Sequence, residues 1–529
     1  VNYARQVFRH VGPAHAAGLP ALIASGEDGR LSETSWPELQ RKSAALALHL
    51  KARGVRAGDR VAAYLPNIPE TIIAFLATAS IGAIWSVCAP DMAAPAVIDR
   101  FKQIEPKVLI ACDAVTYAGR RHDRQNVIED LRRALPTVEH VILHSDAAPS
   151  ETRLSTILAG QGPTIDAFEP EWLPFDHPLW IVYSSGTTGL PKGVYYSHRQ
   201  LVLHSIAGLA LFGMAGSQGR FSRDDVYMPI TPMFHVHAWG FPWSATLAGT
   251  KQVYPGRYEP AMLVKLIKSE GVTFTHGVPT ILQMLLNAAA AAKVDLHGLK
   301  MVIGGSALPK ALAKQALEAG IDIFAGYGMS ETGPLAAVSH VSSRDLSGDP
   351  AGEVEFRTRA GIAGPLVELR IVDPDMKDIP HDGKSAGEIV LRAPWLTQGY
   401  YNNPEGSEQL WAGGYLHTSD IAVISPGGHV HITDRIKDVI KTGGEWVSSL
   451  QIEDLISQCA GVAEAAVIGV KDEKWGERPL ALVVKKPSGA DSLTDASIKE
   501  HLKQFADQGV ISKYGIPGTI MFIDSIPKS

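Results

Sequence analysis

The sequence has little of what would assign it to several large functional classes. Cysteine occurs only three times in 529 residues, at Cys88, Cys112 and Cys459. No CxxC spacing links them, so a disulfide framework or a cysteine-based metal site is poorly supported, and a reducing, cytoplasmic setting fits better. No uninterrupted apolar run of about 18 residues occurs, which argues against a membrane span. The N-terminus has no basic start followed by an apolar stretch, so no signal peptide is expected. The first residue is Val1 rather than Met, and the expectation is that the true start lies upstream. Charge of one sign is also lacking: 49 Lys and Arg against 55 Asp and Glu give a net charge of -6. Such a chain has no electrostatic footprint for nucleic acid. No G-x-x-x-x-G-K-[ST] can be read, which disfavours classical P-loop chemistry, and no fixed-period repeat is found.

What is present reads as a globular enzyme-sized chain. Hydrophobic residues make up 45% and charged residues 20%, and 529 residues suggest two or three domains rather than one core. RVAAYLPN (60–67), KVLIAC (107–112), HVILHS (140–145) and LWIVYSS (179–185) read as buried strands, and ETIIAFLATASIGAIW (70–85) as a packed helix. This alternation predicts α/β layers with largely parallel sheets. AAAAAK after Asn287 is an Ala-rich helix end. From about Gly361, VELRIVDPD, GEIVLRA and GHVHITD are short strands broken by Gly, Pro and Asp, which suggests a small β-rich subdomain. A charged connector, DRIKDVIKTGGEW, then leads into a compact α/β tail, and the best domain cut lies near 434–437.

The strongest chemical signal is YSSGTTGLPKG, Tyr183 to Gly193. A strand ends in a loop of Ser, Thr and Gly whose backbone N–H groups can bend toward phosphate oxygens, with hydroxyls adding donors. Lys192 offers a point charge for the same phosphates. A plain flexible turn would not need this density of hydroxyls beside a lysine.

This segment resembles the phosphate loop of the adenylate-forming superfamily: acyl-CoA synthetases, peptide-synthetase adenylation domains and luciferases. Further segments agree in the family's order. PMFHVHAWG (Pro232 to Gly240) resembles the aromatic/His segment at the acyl pocket. GGSALPK (Gly304 to Lys310) and GYGMSET (Gly326 to Thr332) resemble the adenine and Mg segments. YLHTSD (Tyr415 to Asp420) carries the ribose aspartate, and DRIKDVIKTGGEWVSS (Asp434 to Ser449) resembles the hinge segment. The match spans nearly the whole chain. It implies a large N-terminal domain of two parallel α/β layers plus a β-barrel-like subdomain, residues 1–434 with the β-rich part at about 335–434. A small mobile α+β domain, 435–529, follows.

The resemblance also implies roles. Ser184, Ser185, Gly186, Thr187 and Gly189 would bind nucleotide, with Thr188 and Lys192 at the reacting phosphate. Glu331, a hard oxygen ligand, would hold Mg2+ together with Thr187; alone it would read as a helix-cap carboxylate. Tyr327 can lie flat on adenine, while Gly326 and Gly328 let backbone approach the base. Gly305, Ser306, Met329, Ser330 and Trp446 complete the nucleotide contacts. Asp420 can accept both ribose hydroxyls, and Arg435 and Lys441 can hold ribose and phosphate oxygens. His235 would lie near the acyl carboxylate. His235 and His237 alternate as zinc ligands can, but no third and fourth ligand follows with suitable spacing. Trp239 would stand at the mouth of the acyl pocket, whose depth depends on Gly277, Val278 and Gly304. Lys437 matches the hinge, and Trp475, Gly476 and Glu477 in KWGERP match the segment facing CoA.

The expected reaction is ATP-dependent ligation of a short- to medium-chain carboxylic acid to CoA through an acyl-AMP, with ATP, Mg2+ and CoA required. Related enzymes are often homodimers. Two departures stand out. The family ends in a Pro-Lys-x-x-x-Gly-Lys stretch whose last lysine serves adenylation; here IPKS ends at Ser529, and Lys528 matches the first lysine only. The expected consequence of a true absence is a slowed first half-reaction. Moreover, up to about Lys192 the chain resembles acetoacetyl-CoA synthetases, and from GVYYSHR onward medium- and long-chain fatty acyl-CoA and 3-methylthiopropionate ligases. A natural recombinant and an engineered chimera both fit. Three rivals remain: an acetoacetyl-CoA synthetase-type ligase, an adenylation enzyme loading a carrier protein, and a catalytically impaired chain that only binds nucleotide.

Overall fold

The computed structural model describes the chain except residues 27–29, 118, 185–189, 214–218, 257–258, 342–349, 437, 443–444, 487–492, 509 and 527–529; the side chains of 237, 350–351, 441 and 445–446 are also outside the description. The described chain divides into two compact units, Val1–Glu368 with Arg392–Ala412, and Leu369–Leu391 with Gly413–Ser529.

The first unit is built on two sheets. In the six-stranded sheet the order is Gly193–Ser197, Pro178–Tyr183, Ile84–Cys88, Arg60–Tyr64, Val108–Cys112 and His140–His144. Its strands are parallel except for Gly193–Ser197, which runs back antiparallel to Pro178–Tyr183. The nine-stranded sheet has a parallel centre of Asp322–Gly328, Lys300–Ile303, Phe274–Gly277, Val226–Pro229, Lys251–Tyr254 and Leu22–Ser25. Strands buried on both faces must be apolar throughout, and Val108–Cys112 and Ile84–Cys88 are buried at every position. One core draws on both sheets, with Val61, Trp85 and Trp180 from the first and Leu22 and Tyr254 from the second.

The helix expected over 70–85 is shorter: it spans Pro69–Ser80, and Ile84–Cys88 is a strand. Gly82 at φ +70° turns the chain out of the helix, which a run of apolar residues by itself does not reveal. The Ala-rich segment closes the helix Pro279–Ala292, with Lys293 as a left-handed cap.

Apart from the end residues Glu368 and Arg392, the second unit holds a four-stranded sheet of Glu368–Val372, Gly387–Arg392, Leu416–Ile424 and Val430–Arg435, and a five-stranded sheet around the long hairpin Val462–Asp472 and Gly476–Lys485. The cut expected near 434–437 therefore falls inside a compact unit. The Asp434 carboxylate accepts hydrogen bonds from the Ser449 N–H at 2.6 Å and the Ser449 hydroxyl at 3.0 Å, and Ser448 donates to the Thr433 carbonyl. These contacts tie the β-rich part to the tail. Within the connector, Ile440–Thr442 and Glu445–Val447 form a small hairpin.

Candidate active site

The strand Pro178–Tyr183 delivers the chain to the phosphate-loop segment. Residues Ser185, Gly186, Thr187, Thr188 and Gly189 lie outside the described residues, but both ends of the loop are fixed. The Ser184 N–H donates to the Lys192 carbonyl at 3.0 Å, and the Lys192 N–H donates to Ser184 Oγ at 3.2 Å. Gln103 clamps the far end with both atoms of its amide: Nε2 donates to the Pro191 carbonyl at 2.7 Å, and Oε1 accepts from the Gly193 N–H at 3.0 Å. Lys192 is thus held by its backbone on both sides, while its ammonium lies 4.6 Å from the centre of the Tyr400 ring.

The second wall is the turn Met329–Thr332, which follows the strand Asp322–Gly328. Gly326 and Tyr327 pair with Val338 and Ala337, and the register slips at Gly328. A Cβ at Gly328 would lie 1.8 Å from the Pro334 carbonyl oxygen, so no side chain fits there. The turn is stitched to the first wall. Ser330 Oγ donates to the Tyr183 carbonyl at 3.3 Å, and the Tyr196 hydroxyl donates to the Ser330 carbonyl. The Thr397 N–H donates to the Glu331 carbonyl at 3.1 Å, the Met329 N–H to Thr332 Oγ1 at 2.9 Å, and the Leu335 N–H to Nε2 of buried His204 at 3.1 Å. Glu331 is 3% exposed. A buried carboxylate requires partners, and the Tyr400 hydroxyl donates to its Oε1 at 2.9 Å. Burial, and next the neighbouring Glu331, push the Tyr400 phenol up, so it stays a donor at neutral pH.

The third wall is apolar. Val236, Ala238, Trp239 and Gly240 have φ values of 50°, 49°, 60° and 74°, a left-handed turn. Such a conformation costs about 1–2 kcal/mol for each non-glycine residue, so the surrounding packing must hold it. The Trp239 indole lies against Gly304 and Gly305. A Cβ at Gly304 would sit 3.2 Å from the indole and 3.1 Å from the Gly326 carbonyl oxygen; one at Gly305, where φ is +74°, would meet Val278 at 3.2 Å. Gly277 continues the wall beside Met301 and Ile281. Ser306 is exposed. Behind Trp239, 5.0 Å between ring centres, lies fully buried His276. Its ring nitrogens face the Tyr227 hydroxyl at 2.7 Å and the Thr231 hydroxyl. Burial lowers its pKa to about 3. His235 begins the turn, and burial, then the Arg100 charge, lower its pKa as well.

In the second unit, Asp420 and Arg435 are cross-strand neighbours, with Arg435 Nε 3.3 Å from Asp420 Oδ1. The Asp420 N–H donates to Thr418 Oγ1 at 3.1 Å. Lys441 and Trp446 are backbone partners across the hairpin; Lys437 lies outside the described residues. Trp475 lies in the turn of the long hairpin, and Gly476 and Glu477 begin its second strand, paired with Asp472 and Lys471. The Lys474 and Trp475 N–H groups cap Asp472 Oδ1, each at 2.9 Å, and the Trp475 ring packs against Tyr514 at 5.3 Å.

Tyr400, Gln103, Tyr196, His204 and His276 are the residues that motif reading missed. None carries a spacing signal: each is brought in by the sheet order from a segment remote in sequence.

A doubly layered α/β unit with a hydroxyl-rich loop, an anchored lysine and a buried carboxylate defines a nucleotide-using enzyme. The chain belongs to the AMP-binding enzyme family: the family model covers residues 9–401, and the model of its C-terminal domain covers 451–529. It is 36% identical over 515 residues to the long-chain-fatty-acid–CoA ligase of Thermus thermophilus, covering 97% of this chain and 90% of that protein. It is 32% identical over 523 residues to the 3-methylmercaptopropionyl-CoA ligase of Ruegeria lacuscaerulensis, covering 97% and 93%. The acetoacetyl-CoA synthetase of Streptomyces lividans superposes with a TM-score of 0.81 at 27% identity, over 99% of this chain and 79% of that one. Single relatives thus run through both sides of Lys192. Among the described residues, no helix is long and apolar enough to cross a membrane.

Proposed function

We propose that this chain is an ATP-dependent acyl-CoA ligase that activates a short- to medium-chain carboxylic acid as its acyl-AMP and transfers the acyl group to CoA. The observation that carries this reading is the joining of Lys192 and Glu331 through Tyr400 beside the end of the strand Pro178–Tyr183. The acid's carboxylate attacks the α-phosphorus of ATP, and pyrophosphate leaves. Lys192 and the loop hydroxyls, Thr188 among them, take up charge developing on the phosphate oxygens. The thiolate of CoA then attacks the acyl carbonyl, and AMP leaves.

Each remaining residue has a role in the same scheme. The resemblance assigns Tyr327 to adenine, Asp420 and Arg435 to the ribose, and Lys441 to the phosphates. Neutral His235 faces the acyl carboxylate, and Trp239 with Gly277, Val278 and Gly304 lines the acyl pocket. The resemblance assigns Lys437 to the hinge and Trp475, Gly476 and Glu477 to the segment facing CoA. Among the described residues no group of three or more His, Cys, Asp or Glu gathers to cage a metal. Glu331 nonetheless suits Mg2+, which is commonly held by one or two carboxylates plus substrate phosphates. Bound there with Thr187, the ion would neutralise phosphate charge. We further propose a cytoplasmic setting and a homodimer.

The test is pyrophosphate release and thioester formation with ATP, Mg2+ and CoA across acetate, acetoacetate, 3-methylthiopropionate, octanoate and palmitate. Thioesters from the medium acids are expected. A preference for acetoacetate would hand the reading to the acetoacetyl-CoA synthetase type. Acyl-AMP without transfer to CoA would favour carrier-protein loading, and nucleotide binding with no pyrophosphate released from any acid would sink the ligase reading.

A further inference from the structure

Tyr400 touches two groups of opposite charge at once. The Lys192 ammonium lies over its ring at 4.6 Å, and its hydroxyl donates to Glu331 Oε1 at 2.9 Å. Among the described residues, no carboxylate stands within ion-pair distance of Lys192. This is an unusual arrangement for a buried acid and a base that share a neighbour. Left to themselves in a site of low dielectric, an ammonium and a carboxylate attract strongly and tend to pair directly. A direct pair would withdraw the ammonium from a ligand. A ring face attracts the cation without neutralising it, and a phenol hydroxyl satisfies one lone pair of the carboxylate without cancelling its charge.

We propose that Tyr400 is a positioning residue that keeps Lys192 apart from Glu331, so that the ammonium stays available to the phosphates of a nucleotide. The proposal rests on the reading that this site takes ATP, and it adds a role to a residue outside every motif of the sequence. Its backbone is itself fixed for the task. The Tyr400 N–H donates to Ser407 Oγ at 2.9 Å, Tyr400 pairs with Val194 beside the loop end, and the next N–H, of Tyr401, donates to the Gly193 carbonyl at 2.7 Å. The ring is therefore anchored to the strand that Lys192 enters, while its hydroxyl reaches a residue 69 positions earlier in the chain.

The test is a double-mutant cycle read by calorimetric ATP binding in the presence of a metal chelator, where no catalysis is needed. Tyr400→Leu removes both contacts and lets Lys192 and Glu331 pair. ATP binding should weaken about tenfold, the scale of one charge-assisted contact. Glu331→Gln removes the charge that captures the lysine, so its gain in ATP affinity should be several-fold larger in the Tyr400→Leu background than in the wild-type background, a coupling that a merely structural role would not produce. Tyr400→Phe keeps the ring and loses only the hydroxyl. It should show the same sign of coupling at about threefold, and it decides the question alone if Tyr400→Leu does not fold. Equal gains from Glu331→Gln in all backgrounds overturn the proposal, as does a wild-type chain that does not bind ATP. A wild-type chain that binds ATP but makes no acyl-AMP overturns the ligase reading and leaves the cycle to decide on Tyr400.

Discussion

The polar wall around Lys192 and Glu331 and the apolar wall around Trp239 are held in place by different means. The polar wall is fixed by directional bonds. Ser184, Gln103, Tyr196 and Thr397 each bind a backbone group of the segments that carry the charged residues. The apolar wall is fixed by volume. A left-handed turn of Val236, Ala238 and Trp239 persists because the indole fills space left by missing side chains at Gly304 and Gly305. The difference teaches where each wall is vulnerable. The first fails when a donor, acceptor or charge is removed, and the second when a methyl group is added.

The largest effect is expected from the polar wall. Lys192→Met keeps the length of the side chain and its contact with the Tyr400 ring while removing the charge. Loss of a charged contact made in the transition state costs about 3–4 kcal/mol, or a hundredfold or more in rate. The rate of acyl-AMP formation, trapped with hydroxylamine, should fall by that factor, with the melting temperature within a few degrees of wild type. A drop of less than about fivefold would remove Lys192 from the reacting phosphate.

Addition of volume to the apolar wall should give a smaller effect of another kind. Gly304→Val places branched atoms where even a Cβ is 3.2 Å from the indole and 3.1 Å from a backbone oxygen. Overpacking of this sort costs about 1–3 kcal/mol. If this wall lines the acyl pocket, kcat/KM for octanoate should fall at least about tenfold relative to acetate. A uniform loss across acids of all lengths would show that the wall supports the fold and does not measure the substrate.

These two walls were legible in the sequence to different degrees, for a physical reason. Lys192 and Glu331 stand in short segments whose residue types are chemically unusual together, so a motif exposes them. Trp239 and Gly304 were also reached through motifs, but the contact between them was not, because a close approach of indole to glycine leaves no spacing in either segment. Tyr400 and His276 left no signal at all. A lone tyrosine or histidine in an apolar strand or loop looks like ordinary core, and only the order of strands in the sheets decides what it meets. The helix expected over 70–85 failed for a related reason: helix Pro69–Ser80 and strand Ile84–Cys88 are both apolar, and Gly82 alone marks the change between them.

His276 offers the finest probe of the apolar wall, because it brings a titratable group into the layer behind Trp239. Burial lowers its pKa from 6.5 to about 3, so the folded chain holds it neutral while the unfolded chain takes up a proton below about pH 6.5. Its contribution to stability is therefore present above pH 6.5 and is lost as the pH falls from there toward 3, by at most about 1.4 kcal/mol per pH unit. Buried His204, with a pKa lowered to about 4, and His198, lowered to about 3, act in the same direction. The urea midpoint of the tryptophan-fluorescence transition should consequently fall between pH 7 and pH 5. In His276→Gln the midpoint at pH 7 should be lower, because a packed, doubly hydrogen-bonded ring is gone, but its decline toward pH 5 should be shallower by the share of one histidine. An unchanged slope would mean that His276 takes up its proton without leaving its place, and the layer behind Trp239 would then have to admit charge or water.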